Sequence, residues 1–459
     1  MLLNFLNNRK RVIIFSAVTA VALITAFFVF FTLNSDRIYK GIVAEGVNLS
    51  GLKREEAKYL IASKIESNFG MHKIVLRYGD NFWAIDPDEI AINYLVDDTV
   101  DEAYGIGRKG NVIKRLYSIF NTRRKGAFLY VDVEFNRLLL GSFVSDIKKQ
   151  IEKKEKSATA NYENGSVSFV KEEIGRILNI DENLEMIENS IVSRKFTDIY
   201  LIVREKYPEI TIDGIKEIRG VIGSFSTTFN PNDENRSYNI GLASKRISGT
   251  VILPGKVFSM NEALGPRTTE NGYKEATVIF KNELVKGTGG GVCQVSSTLY
   301  NAVLKSKLKV CERTHHSIPL GYVSKGLDAT IAEDYIDFKF MNDTDYPVCI
   351  SASVKSNSVY IRILGRDCDN GLSVVLKSVV VRELEAQGEE VIVDDSVPDN
   401  ERVVLREARK GYKVVVYRET YNKSGELIDK EKISEDTYLP AKAQIKVNSS
   451  YNKEIDNTF

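Results

Sequence analysis

At 459 residues the chain is too long for one ordinary domain of ~100–200 residues. With 43% hydrophobic and 27% charged residues it is neither disordered nor collagen-like, and it has enough apolar material for buried cores. Lysine and arginine number 63 against 62 aspartate and glutamate, and three of those cations sit in the N-terminal tail; no basic surface argues for nucleic acid.

Residues 1–11 form a short tail ending in Arg9, Lys10 and Arg11. No charge interrupts Val12 to Leu33, long enough to cross ~30 Å of hydrocarbon, which takes ~20 apolar residues. A cleavable leader would have a shorter apolar run and a small-residue cleavage site, whereas this stretch ends in "FFVFFTLN". Residues 12–33 are therefore expected to be a transmembrane helix. The basic cluster keeps the tail cytoplasmic, so the bulk from about Ser35 lies outside, anchored single-pass in the cell membrane.

A strand-like stretch, Ile38 to Val47, leads to a turn at Ser50-Gly51 and then a helix with Ala57, Leu60, Ile61 and Ile65 on one face. "KIVLRYGDNFWAID" predicts two strands turning at Gly79-Asp80. "DEIAINYLVDDTVDEA" (88–103) and "EEIGRILNIDENLEMI" (172–187) align without gaps, pairing Glu89 with Glu173, Ile90 with Ile174 and Asp97 with Asp181. Two copies of a small α+β module, 38–125 and 126–208, are the economical reading. They lack cysteine and suit binding or spacing rather than chemistry. Residues 211–365 are richer in glycine and gather the reactive side chains. From 372 to 450 the pattern alternates, with a hairpin at Ser424-Gly425, and predicts a β-rich appendage with a structural or docking role.

Four cysteines (Cys293, Cys311, Cys349, Cys368) are too few for a disulfide scaffold, and no C-x-x-C pair suggests zinc. Neither metal nor cofactor is called for. In "GTGGGVCQVSSTLYNAVLKS", glycines free the backbone to approach a ligand, and Val295, Leu299, Ala302 and Val303 recur at helical spacing. A thiol at the start of that helix feels the positive end of the macrodipole, which favours the thiolate. Gly290, Gly291 and Gln294 are candidates to bind an oxyanion. The base would come from "THHS": His316, or alternatively His315, with Asp328 orienting the imidazole. A buried structural cysteine is the competing reading.

"FSTTFNPNDENRSYNIGLASKRISGTVILPGKVFSMNEALGPRTTENGYKEA", "GGGVCQVSSTLYNAVL", "ERTHHSIPLGYVSKGLDATI" and "DFKFMNDTDYPVCI" together resemble the VanW domain, over about 225–365. "GIVAEGVNLSGLKREEA" and the repeated modules resemble the peptidoglycan-binding domains that precede VanW in anchored wall proteins. The resemblance implies an α+β multidomain architecture with a catalytic-like domain at 211–365. Some VanW proteins act as L,D-transpeptidases through the cysteine of the G-G-G-x-C-Q motif, which is Cys293 here; the matching histidine is His316 and the G-x-D-A-T aspartate is Asp328. The implied activity is 3→3 cross-linking of peptidoglycan tetrapeptide stems, with Arg267 and Arg313 as candidates to bind a stem carboxylate. A non-catalytic wall-binding scaffold, or a peptidase using the same site, is the alternative.

Overall fold

The computed structural model describes residues 2–69, 72–280, 283–332, 335–366 and 371–451, and Cys368 lies outside them. The chain is mixed α/β and divides into two compact units, one of Met1–Lys154 with Ile174–Lys206 and one of Glu155–Glu173 with Tyr207–Phe459.

The first unit opens with α1 (Leu2–Leu33), whose segment Arg9–Leu33 is long and apolar enough to cross a membrane. The strand expected over 38–47 is split: Ile42–Ala44 and Val47–Asn48 pair antiparallel around Glu45-Gly46, both at positive φ. Next come α2 (Arg54–Phe69), α3 (Val96–Gly105) and α4 (Val112–Lys125). α2 buries Ala57, Ile61 and Ile65, while Leu60 faces out. The expected Gly79-Asp80 hairpin joins Ile74–Tyr78 to Asn81–Ile85.

The repeat does not give two self-contained cores. Ile42–Ala44 pairs in parallel with Ala127–Leu129, and Ile74–Tyr78 pairs in parallel with Ile199–Tyr200. The second core combines Ile74, Leu76 and Ile85 with α5 (Arg137–Ile151) and α6 (Ile180–Ser193). Strands of two to five residues bury too little alone, and crossing partners from the other copy complete each sheet.

In the second unit, strands Gly220–Thr228, Ser358–Gly365, Val348–Lys355 and Val251–Ile252 form one antiparallel sheet in that order. Alternation sends Val359, Ile361 and Ile363 to one face and Leu364 to the other. On the first face lie α8 (Glu234–Ile247) and α10 (Val292–Lys305); between them in sequence comes the short α9 (Met260–Leu264). Against the other face, Ala158, Ala160 and the short α7 (Ile212–Ile215) pack on Cys349 and Leu364. Ala160 belongs to the hairpin Thr159–Glu163/Ser166–Val170. The C-terminal region is β-rich, as its alternation predicts. Ser373–Leu384, Gly411–Tyr421 and Leu427–Tyr438 form one sheet, and Glu389–Val393, Ala443–Val447 and Arg402–Arg406 another. Val416 of the former joins the main core.

Candidate active site

The glycine run sets the position of the thiol. Gly291 caps α10 at φ 103, and a Cβ on Gly290 would fall 2.5 Å from the Thr277 carbonyl, so the loop lies flush against a neighbouring strand only because both are glycine. Cys293 is therefore in the first turn of α10, half-buried, where unpaired N–H groups gather.

The helix is buried almost all round, and one stripe of it is polar. Ser297 Oγ donates to the Cys293 carbonyl at 2.8 Å and accepts from Ala329 N–H at 3.0 Å. One helical turn on, Asn301 Nδ2 donates to the Leu327 carbonyl at 2.6 Å. Cys293, Ser297 and Asn301 share this face, and the latter two hold the loop that carries Asp328 and Ile331. That loop pairs with the histidine segment through Thr330 N–H and the Thr314 carbonyl at 2.8 Å. The imidazole, the carboxylate and the thiol are thus brought together from three stretches of chain.

His316 Nδ1 lies 2.7 Å from Asp328 Oδ2, which also accepts the His316 backbone N–H at 2.6 Å. With Nδ1 engaged, Nε2 is the ring nitrogen left for the thiol, and the Cys293 and His316 side chains lie near enough for each to shift the other's proton affinity. The sulfur also lies 3.6 Å from the Ile331 carbonyl. Burial pushes the Cys293 thiol up, but the His316 hydrogen bond and charge, the Ile331 contact and the Arg267 guanidinium outweigh it and bring the thiol below its usual range. Burial would lower His316; bonds to Asp328 and Cys293 overcome that and raise it to about 9. Burial likewise opposes ionisation of Asp328, yet its bonds to His316 and Tyr438 pull it down to about 2. These directions favour proton transfer from the thiol to an imidazole held by a carboxylate.

His315 is turned elsewhere. Its Nδ1 donates to the His316 carbonyl at 2.7 Å and its ring meets Tyr438 edge to face, at 5.1 Å between centroids.

Cys293 and His316 open into a cavity of about 690 Å³, lined also by Gly290, Gly291, Arg236, Arg267 and Tyr322. Two expectations need correction. The Gln294 carboxamide is buried and engaged: Nε2 donates to Thr227 Oγ1 and the Thr228 carbonyl, and Oε1 accepts from Arg236 at 2.7 Å. Its backbone N–H donates to the Gly291 carbonyl. Gln294 therefore anchors the helix start, and the Cys293 N–H, with no acceptor among the described residues, is the donor left to face a developing oxyanion. Arg313 is also buried: its Nη1 donates to both Asp436 oxygens at 2.7 and 2.8 Å, and its Nε and Nη2 donate to the Asp328 and Gly326 carbonyls. It braces the site from behind and does not line the cavity. Arg267 does line it, with Nη1 3.0 Å from Asn261 Oδ1.

Three residues carry no sequence signal for this site. Tyr438 donates its hydroxyl to Asp328 Oδ1 at 2.5 Å and accepts the Gly326 N–H at 2.7 Å. Tyr322 lines the cavity beside Cys293, and burial and the nearby Cys293 charge keep its phenol protonated. Arg236 holds Gln294. Ser297 and Asn301, one and two turns after Cys293 on the same side of a buried helix, were a legible clue to a functional face. Elsewhere, Cys349 is buried, donates to the Ala160 carbonyl at 3.1 Å, and is pushed up to about 12 by burial, as expected of an inert thiol.

Residues 235–364, which contain this whole constellation apart from Thr227, Thr228, Asp436 and Tyr438, match the family model described as "VanW like protein". The chain carries a VanW-like domain. Before the VanW-like domain, residues 83–199 match "Putative peptidoglycan binding domain"; after it, residues 377–447 match "G5 domain". The chain is 39% identical over 165 residues to the uncharacterized protein YoaR of Bacillus subtilis, covering 36% of this chain and 54% of that one. It is 35% identical over 117 residues to the vancomycin B-type resistance protein VanW of Enterococcus faecalis, covering 24% and 42%. It thus spans about half the length of these curated relatives. A solved IgA1 protease G5 domain is similar at 20% identity over 18% of this chain and 98% of that one, with a TM-score of 0.13, too low to carry an argument.

Proposed function

We propose that this chain is a membrane-anchored cell-wall enzyme, a cysteine L,D-transpeptidase that forms 3→3 cross-links between peptidoglycan stem peptides. The reading rests on one observation above all: a thiol at a helix N-terminus lines the same cavity as an imidazole that is itself fixed by a buried carboxylate. The VanW-like match and the peptidoglycan-binding match support the substrate class. The N-terminal apolar helix supports anchoring in the membrane with the bulk on the wall side.

In the first step the Cys293 thiolate attacks the carbonyl carbon of the third stem residue. The Cys293 N–H and the positive end of α10 stabilise the oxyanion. As the C–N bond breaks, His316 gives its proton to the departing D-alanine amine, leaving a thioester and a neutral imidazole. In the second step the amine of a neighbouring stem's third residue attacks the thioester. His316 takes the amine proton, and collapse releases the cross-linked product with the thiolate–imidazolium pair restored. Asp328 keeps the imidazole oriented throughout. Arg267 is placed to receive the stem carboxylate.

The test uses the detergent-solubilised chain and disaccharide-tetrapeptide. Intact mass should gain an acyl adduct, and 3→3 dimers should accumulate; Cys293→Ala should abolish both. Dimers formed by Cys293→Ala would refute the nucleophile. Adduct with only tripeptide product would assign a peptidase, and wall binding with no adduct at all would assign a scaffold.

A further inference from the structure

Helix α4 has two apolar faces where a soluble amphipathic helix has one. Its inner face, with Ile119 and the buried Thr122, packs on the first unit's core. Its outer face carries Ile113, Tyr117 and Phe120, exposed by 78%, 68% and 64% and spaced four and three apart, so they form one stripe. Around it stand Lys114, Arg123, Arg124 and Lys125, and the helix contains no carboxylate. Nothing in the fold of the described residues covers this stripe.

The position of α4 indicates what does. Its Arg115 donates to the Leu33 carbonyl at 2.5 Å, in the last turn of α1. Beside it Tyr39 donates to the Thr32 carbonyl at 2.9 Å and Arg108 to the Ser35 carbonyl at 2.8 Å. These donors satisfy carbonyls that a helix C-terminus leaves open, and clasp the end of α1 to the same body as α4. Leu33 is buried in that body, whereas Val12 to Phe31 carry side chains such as Phe15, Phe28 and Phe31 that are fully open to their surroundings. The 25 residues Arg9–Leu33 rise ~37 Å, which carries Leu33 past ~30 Å of hydrocarbon to the headgroups. A helix fastened to Leu33 is therefore at headgroup depth.

We propose that α4 is an interfacial helix: its Ile113–Tyr117–Phe120 stripe rests in the surface of an anionic bilayer at the point where α1 emerges, with its cations on the phosphates. This depends on α1 spanning the membrane and not on the enzymatic reading. It would give the first unit a second attachment and hold it against the leaflet.

The experiment uses the full chain with its single tryptophan replaced, Trp83→Phe, and Tyr117→Trp as reporter. The chain is reconstituted in phosphatidylcholine–phosphatidylglycerol vesicles, plain or with brominated acyl chains. Blue-shifted emission, quenched more by bromines near the glycerol end than by bromines at the chain terminus, is the expected result. Emission that stays red and is quenched by aqueous acrylamide would overturn the proposal. Blue-shifted emission insensitive to bromine would overturn it too, and would assign the stripe to a second copy or another protein.

Discussion

At Cys293 and His316 the ordinary order of proton affinities is drawn together from both sides, the thiol lowered and the imidazole raised to about 9. Acylation should be fastest between the two: the rate falls in acid as the thiolate takes a proton, and falls above about pH 9 as His316 loses the proton the leaving amine needs. A kcat/KM profile for thioester formation reads both limbs. Asp328→Asn removes the charge that raises His316, so the alkaline limb should move to lower pH and the rate drop by ~10²–10⁴-fold. The same shifts act on stability with opposite signs. His316 is raised above its ordinary 6.5, so its stabilisation is complete below that value and is lost as pH rises through about 9. Asp328 is depressed from 3.8, so its contribution is present above that value and is lost as pH falls through about 2. Wild-type Tm should decline between pH 6.5 and 9 more steeply than that of His316→Gln, measured by calorimetry.

At the scale of elements, α10 joins core packing to chemistry. Leu299→Ala, at a fully buried position, should cost ~2–5 kcal/mol in denaturant unfolding. Tyr438→Phe tests the strand Leu427–Tyr438, which does not line the cavity at Cys293 and yet holds Asp328. Losing one hydrogen bond to a charged group costs ~1.5–3 kcal/mol, so acylation should slow by roughly 10–100-fold, with the alkaline limb raised because Asp328 keeps more charge toward His316, while KM for the tetrapeptide stays put. A purely structural role would move neither the pH limb nor the rate. The helix itself was legible: apolar residues at helical spacing, glycines before and a cysteine at the start are local signals. The engagement of Gln294 was not, because its partners Thr227, Thr228 and Arg236 come from a strand and a helix more than fifty residues earlier. Arg313 misled for the same reason, since a guanidinium beside a reactive histidine looks like a ligand until its partner Asp436 is in view. Local pattern reports what a residue can do, and distant chain decides what it is free to do.

For the whole molecule, the internal repeat was readable as sequence but not as topology. Parallel pairing of Ile42–Ala44 with Ala127–Leu129 and of Ile74–Tyr78 with Ile199–Tyr200 leaves no trace in local alternation. One consequence is that deleting residues 126–208 should unfold the remaining module instead of trimming the chain, which limited proteolysis would show as loss of any stable fragment from 38–125. The β-rich character of the C-terminal region was equally plain, and its reach into the site was not. That reach has a bearing on timing. Tyr438 follows Asp328 by 110 residues and lies close to the last strand of the chain. A polypeptide emerging N-terminus first presents its cysteine long before the tyrosine that completes the carboxylate's set of donors. The donor set of Asp328 is therefore complete only once the strand Leu427–Tyr438 has paired, which ties the state of His316 to the folding of the C-terminal region.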